Sequence, residues 1–312
     1  MSLIVQFTRN RPFSVLHKTP LHRFESCLLY SVLVEFRGAN RESAHTQRLF
    51  VKCFRVELGV SVGIRKYGDR NVIDLSEWGR PIARVIAQYL KEKRVSVIQV
   101  TNFHLILSLF CAWLIFEGHT IVACSLLIVK GVIDAVDGEL ARVRQRPSHV
   151  GRYWDTVVDT IGLIAVMCAF GSLFDWQIAF TFAMILAILF QYSLFNHYSI
   201  LMRALGSGDD TSRIDERICP VAHPWEKQKN VNVLHFIYLC FFNWQDRIIS
   251  KLTGKGSESL VFELTISSSL GYGMQSLLIF LLALTQNLAY LPHLVLGVNG
   301  FLMALVVLRS RL

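Results

Sequence analysis

No C-x-x-C pair and no metal-ligand spacing occurs among the seven cysteines of this 312-residue chain. That argues against a thiolate zinc site and against a disulfide framework. Cys111, Cys124 and Cys168 lie inside apolar runs and read as small core residues. No nucleic-acid-binding motif accompanies the net charge of +9. The basic balance is therefore assigned to an anionic membrane surface, with no nucleic-acid partner expected. The N-terminus lacks the compact charged-then-apolar layout of a cleavable signal peptide. Internal repeats and low-complexity tracts are also absent.

What the chain has in abundance is apolar sequence. Hydrophobic residues make up 53% of it, and the mean hydropathy of +0.42 is too high for a soluble domain of this length. Several runs reach the roughly 20 residues that cross a bilayer. Six spans are expected, at about 103–117, 119–137, 154–174, 176–200, 260–285 and 288–308. The short turns around Gly118, Asp175 and Gln286 contain no Lys or Arg. The opposite loops carry Arg142, Arg144, Arg146 and Arg152, then Arg203, Arg213, Arg217, Lys227 and Lys229. By the positive-inside rule, those loops and both termini face the cytoplasm of a multi-pass integral membrane protein.

Before the first span, "VIDLSEWGRPIARVIAQYLKEKRV" has Asp74 and Glu77 in capping-box relation. Trp78, Ile82, Val85, Ile86 and Tyr89 follow at helical spacing. This reads as an amphipathic helix on the membrane surface. The fold class expected is all-α, a six-transmembrane-helix bundle preceded by that surface helix. Residues 1–72 show no sustained period and form an N-terminal region of unclear structure; residues 73–312 form the membrane domain. Within 201–259, "GDDTSRIDER" reads as a hydrated loop, and Val231–Phe242 is too short to span and reads as an interfacial helix. Trp225 and Trp244 suit an interfacial belt.

The chemistry concentrates in "DAVDGELARVRQRPSHVGRYWDTVVD", residues 134–159. Asp134 and Asp137 share a helix face, as do Gly151, Asp155 and Asp159. Two helices thus present carboxylate pairs to one space, joined by a turn containing Pro147. At mid-membrane each carboxylate costs about 2.5–3.5 kcal/mol, less near the interface. Their convergence is relieved by a shared proton or, better, by divalent cations. Oxygen donors suit hard ions, Mg2+ or Mn2+, in a two-metal site that clamps a phosphate. Gly138 and Gly151 leave room beside the carboxylates, Ala141 keeps the next turn small, and Arg142 offers a planar donor to phosphate oxygens. Arg144, Arg146 and Arg152 serve either topology or phosphate contact. Lys130, four residues before Asp134, reads as its structural ion-pair partner. Asn196, His197 and Arg203 end the fourth span, either as interfacial anchors or lining an acceptor site.

The order D-x-x-D-G-x-x-A-R, eight residues, then G-x-x-x-D-x-x-x-D resembles the signature of the CDP-alcohol phosphotransferase family. The resemblance covers about residues 74 to 312. It implies transfer of a substituted phosphate from a CDP-linked donor to an alcohol acceptor, with release of CMP, in phospholipid biosynthesis. It implies Asp134, Asp137, Asp155 and Asp159 as metal ligands, with Asp159 also the general base. It implies CDP contacts from Gly138, Ala141, Arg142 and Gly151, and a homodimer among membrane lipid. Asn102 resembles the Asn of the family's Pro-Asn pair, although Val-Thr stands here in place of Thr-Pro. Asn102, Arg152 and Arg203 are the further substrate contacts expected.

The donor expected is CDP-diacylglycerol; the alternative is a soluble CDP-alcohol with diacylglycerol as acceptor. A membrane prenyltransferase would need acid-rich motifs on well-separated helices, and a transporter would favour mid-span charges and repeats. The chain has one acidic cluster and no repeat.

Overall fold

The computed structural model describes Tyr67 and residues 72–205, 216–253 and 260–311. The N-terminal region assigned to 1–72 lies outside them apart from Tyr67 and Val72, as do residues 208–215 of the hydrated loop read at 208–217. The described residues form helices joined by turns and short links, with no strand among them.

A 3-10 turn, Leu75–Glu77, precedes α1, Arg80–Leu90. Asp74 Oδ1 accepts from the Ser76 amide at 3.1 Å, so the cap read in the sequence belongs to the turn. α1 itself starts with Pro81 in its first turn, where a missing N–H removes no hydrogen bond. It buries Ala83 and Ala87 against α3, Thr120–Val143, and leaves Ile82, Val85 and Tyr89 exposed.

α2, Val97–Phe116, begins on a reciprocal capping box: Ser96 Oγ accepts from the Gln99 amide, and Gln99 Oε1 accepts from the Ser96 amide. The first apolar run looks short in sequence because the polar residues Gln99, Thr101 and Asn102 already belong to this helix. α4 is His149–Leu173 and α5 is Ile178–Ala204. The single interfacial helix expected at 231–242 is instead a pair, α6 (Gln228–Phe241) and α7 (Asn243–Thr253). α8 (Leu260–Ser268) and α9 (Tyr272–Leu284) follow. The chain ends through a 3-10 turn at Leu288–Tyr290, a π turn at His293–Val298 and α10, Asn299–Arg309.

The three turns without Lys or Arg share one device. Gly118, Asp175 and Gln286 all have positive φ, at 82°, 51° and 59°. In each, the next amide reaches back across the helix end: His119 to the Leu114 carbonyl, Trp176 to that of Gly171, Asn287 to that of Leu282. This 6→1 bond satisfies a terminal carbonyl and stops the helix.

Five segments are long and apolar enough to cross a membrane: Val97–Phe116, His149–Leu173, Ile178–Ala204, Leu260–Leu284 and Leu288–Arg309. α3 is long enough, with 24 residues, but Lys130, Asp134 and Asp137 interrupt its apolar run. The fourth of these segments is broken between α8 and α9, where the turn before α1 docks. Leu75 donates its amide to Ser268 Oγ at 2.9 Å, and Trp78 Nε1 donates to the Gly273 carbonyl at 3.0 Å. A Cβ on Gly273 would sit 2.0 Å from the Ser76 carbonyl oxygen, so this approach requires glycine.

α2 packs against both α3 and α4. One end of this trio is apolar, with Cys111, Ile115, Cys124, Leu127, Met167 and Phe170 buried together with Met184 and Ile188 of α5. At the other end Arg144 binds the link between α1 and α2. Its guanidinium donates to the carbonyls of Leu90, Lys91, Lys93 and Val95 at 2.7–3.0 Å. Of the two readings for Arg144, neither names this use: it caps a helix C-terminus and fixes the approach of α1.

Candidate active site

Asp134 and Asp137 come from α3, Asp155 and Asp159 from α4, and all four line one cavity of about 270 Å³. α2 packs against both α3 and α4, and none of its residues is among those lining the cavity. Gly138, Arg142, Arg152 and Arg203 also line the cavity, with Arg80, Lys130, Asn196 and the stacked rings of Tyr192 and Tyr272. Ala141, Gly151 and Asn102 are not among its lining residues. Asn102 is exposed, and its Oδ1 accepts from Trp154 Nε1 at 2.8 Å. A Cβ on Gly151 would meet the Ser148 side chain at 3.1 Å, so that glycine makes room for the helix cap. A Cβ on Gly138 would meet the Arg142 guanidinium at 3.0 Å.

The carboxylates differ in their partners. Asp137 Oδ2 accepts from Thr101 Oγ1 at 2.6 Å, and Asp159 Oδ1 accepts from Lys130 Nζ at 2.7 Å. The Lys130 pairing is a correction: its hydrogen-bonded acid is Asp159 on the facing helix, not Asp134 on its own. Asp155 Oδ1 is buried and has no hydrogen-bond partner. His104, on α2 and fully buried, places Nδ1 3.5 Å from Asp134 and Nε2 3.2 Å from Asp159. Neither approach has the alignment of a hydrogen bond. Donor atoms of His104, Asp134 and Asp159 lie within 4.8 Å of one another, as do those of His104, Asp137 and Asp155. This His/Asp cluster can hold a metal ion.

A second charged layer borders the acids. Glu139 holds Arg80 Nη1 at 2.5 Å and Arg142 Nη2 at 3.3 Å, and Arg80 also pairs with Glu77. Burial and then the Arg142 charge push the Arg80 guanidinium down to about 10, against the pull of Glu139. Arg152 Nη2 lies 2.5 Å from Glu216 Oε1, and Tyr153 donates its hydroxyl to the other oxygen at 2.9 Å. Glu216 is therefore buried structure at the end of the segment read as a hydrated loop. His197 lies outside the cavity lining, with Nε2 3.1 Å from Thr253 Oγ1.

His104, Thr101, Arg80, Glu139 and Glu216 escaped the sequence reading. A lone histidine or threonine in an apolar run has no periodic signature, and the acids on α3 and α4 point to no third helix. The signal available for His104 was its place at the very start of the first apolar run, on the same face as Thr101 three residues earlier.

Fold and cluster together define the class, a membrane-associated helical protein whose acids can hold a cation. The CDP-alcohol phosphatidyltransferase family matches residues 97–256, more than half of the chain and all four aspartates, and the chain belongs to that family. Its members are metal-using transferases of the CDP-alcohol phosphotransferase type. No curated protein matches the chain.

Proposed function

We propose that the chain transfers the phosphatidyl group of CDP-diacylglycerol to a small alcohol and releases CMP on the cytoplasmic side of a membrane that it crosses six times. α3 is the sixth crossing, its charges tolerated because they face a cavity and not lipid. The topology follows from Arg144, Arg146, Arg203 and Arg217 on one side, against three turns free of Lys and Arg on the other. α1 lies along the inner surface with Ile82, Val85 and Tyr89 toward lipid.

The observation that carries the reading is the convergence of four aspartates with Arg142, Arg152 and Arg203 in one cavity. Four acids alone would repel; four acids beside these cations suit a divalent ion and an anionic pyrophosphate together. The fit to Mg2+ or Mn2+ rests on the oxygen donors and on the buried Asp155 oxygen that lacks a partner. Asp134, Asp137, Asp155 and Asp159 would hold the ions, which when bound supply charge neutralisation at the pyrophosphate.

The other steps belong to side chains. Arg142, beside Gly138, receives phosphate oxygens through its planar donors. Ala141 and Gly151 keep the flanking turns small. Lys130 donates to Asp159 at 2.7 Å and fixes the orientation of its carboxylate. Asp159 then accepts the proton of the acceptor hydroxyl as that oxygen attacks the phosphorus bearing the lipid. The bond from this phosphorus to the CMP oxygen breaks, and CMP carries away the electron pair. Arg152 and Arg203 also line the cavity and would hold an acceptor carrying negative charge.

The test is an acceptor screen with purified full chain, CDP-diacylglycerol and Mg2+ or Mn2+, reading labelled CMP. Acceptor-dependent CMP release supports the proposal. Release only from a soluble CDP-alcohol with diacylglycerol would transfer the assignment to that donor.

A further inference from the structure

We propose that His104 is a nitrogen ligand in the aspartate cluster, so that the cation site is mixed nitrogen and oxygen and favours Mn2+ or Co2+ over Mg2+. The inference rests on the metal-dependent reading above and adds a residue that the aspartate signature does not contain.

His104 sits on α2, which packs against both α3 and α4. It is fully buried, and neither ring nitrogen has a hydrogen-bond partner. Burying an imidazole without a hydrogen bond is unfavourable, and an apolar residue would fill the same place at lower cost. Its nitrogens nonetheless lie close to two carboxylates from different helices, Asp134 at 3.5 Å and Asp159 at 3.2 Å. Adjacent donors around one octahedral ion with bonds of about 2.1 Å lie roughly 3 Å apart. The observed separations are close to that spacing and lack the direction of a hydrogen bond.

A neutral imidazole has one lone-pair nitrogen and one N–H. One nitrogen of His104 therefore ligates, and a small turn of the ring on metal binding would let the other N–H donate to the opposite carboxylate, as outer partners do for ligating histidines. Carboxylates alone suit Mg2+; an imidazole donor shifts the balance toward transition metals.

The experiment uses the full chain in detergent, stripped of metal with EDTA and loaded with Mn2+. Pulsed electron paramagnetic resonance reads nitrogen coupled to the bound ion, and calorimetry reads Co2+ and Mg2+ affinity. The wild type is expected to show 14N coupling that changes to 15N coupling on 15N-histidine labelling. His104→Gln is expected to lose it and to lower the Co2+ over Mg2+ preference at least about ten-fold. Bound Mn2+ without nitrogen coupling in the wild type overturns the proposal even if His104→Gln fails to fold, and so does coupling that survives in the variant. The first of these outcomes leaves the CDP-diacylglycerol reading intact. Nitrogen-coupled Mn2+ in a protein that releases no CMP would do the reverse.

Discussion

The two ends of the α2–α3–α4 trio solve opposite problems with the same helices. One end buries Cys111, Cys124, Met167 and Phe170 among apolar neighbours. The other gathers four aspartates, His104 and Lys130 where each charge needs a specific partner. The first end holds the helices together by close contact, since in lipid the hydrophobic effect gives helices little reason to associate. The second leaves an oxygen of Asp155 unsatisfied. Stability and chemistry are thus divided along the helix axis, and substitutions at the two ends should separate them.

The largest effect is expected at the acidic end. Asp159→Asn should lower the rate of CMP release by about 10²-fold or more while helical content, read by circular dichroism, stays at the wild-type level. At the apolar end Phe170→Ala should do the converse. It should cost about 3 kcal/mol in denaturant unfolding, with activity per folded molecule preserved. Gly162→Leu tests the joint between the ends. A Cβ there already comes within 2.9 Å of Ser108 on α2, so a larger side chain must push α2 from α4. A loss of about 1–3 kcal/mol is expected, and activity should fall with it because His104 and Thr101 ride on α2.

The smallest effect concerns pH. Glu226 accepts from Ser148 Oγ and the Val150 amide at the start of α4, and from the His223 amide. Burial would raise its carboxyl, but these donors outweigh burial and hold it below the ordinary value of 4.5. A depressed acid stabilises the fold above its unfolded value, and the contribution is lost as pH falls through the folded value. Melting temperature should therefore drop at acid pH in the wild type. The drop should be shallower in Glu226→Gln, measured from pH 7 down to about 3.

The sequence made the acidic end legible where its period was regular. Spacings of three and four put each aspartate pair on one face, and the chain folds so that both pairs reach one cavity. The turns at Gly118, Asp175 and Gln286 were readable from their lack of cations, and each proves to be a helix stop with positive φ. What stayed hidden depends on contacts between distant residues. Lys130 invited a partner four residues away on its own helix but bonds across to Asp159, 29 residues on. The break at Ser269–Gly271 exists because Leu75 and Trp78 dock there, almost 200 residues earlier in the chain. His104 had no period to reveal it, only a position on the helix that touches both acid-bearing neighbours.

The most direct measurement is the initial rate of CMP release from CDP-diacylglycerol by the purified chain with Mn2+ and with EDTA, for the wild type and Asp155→Asn. The wild-type rate is expected to need the metal and to fall by at least about 10²-fold in the variant. A rate unchanged by EDTA, or retained by Asp155→Asn at saturating Mn2+, would contradict it.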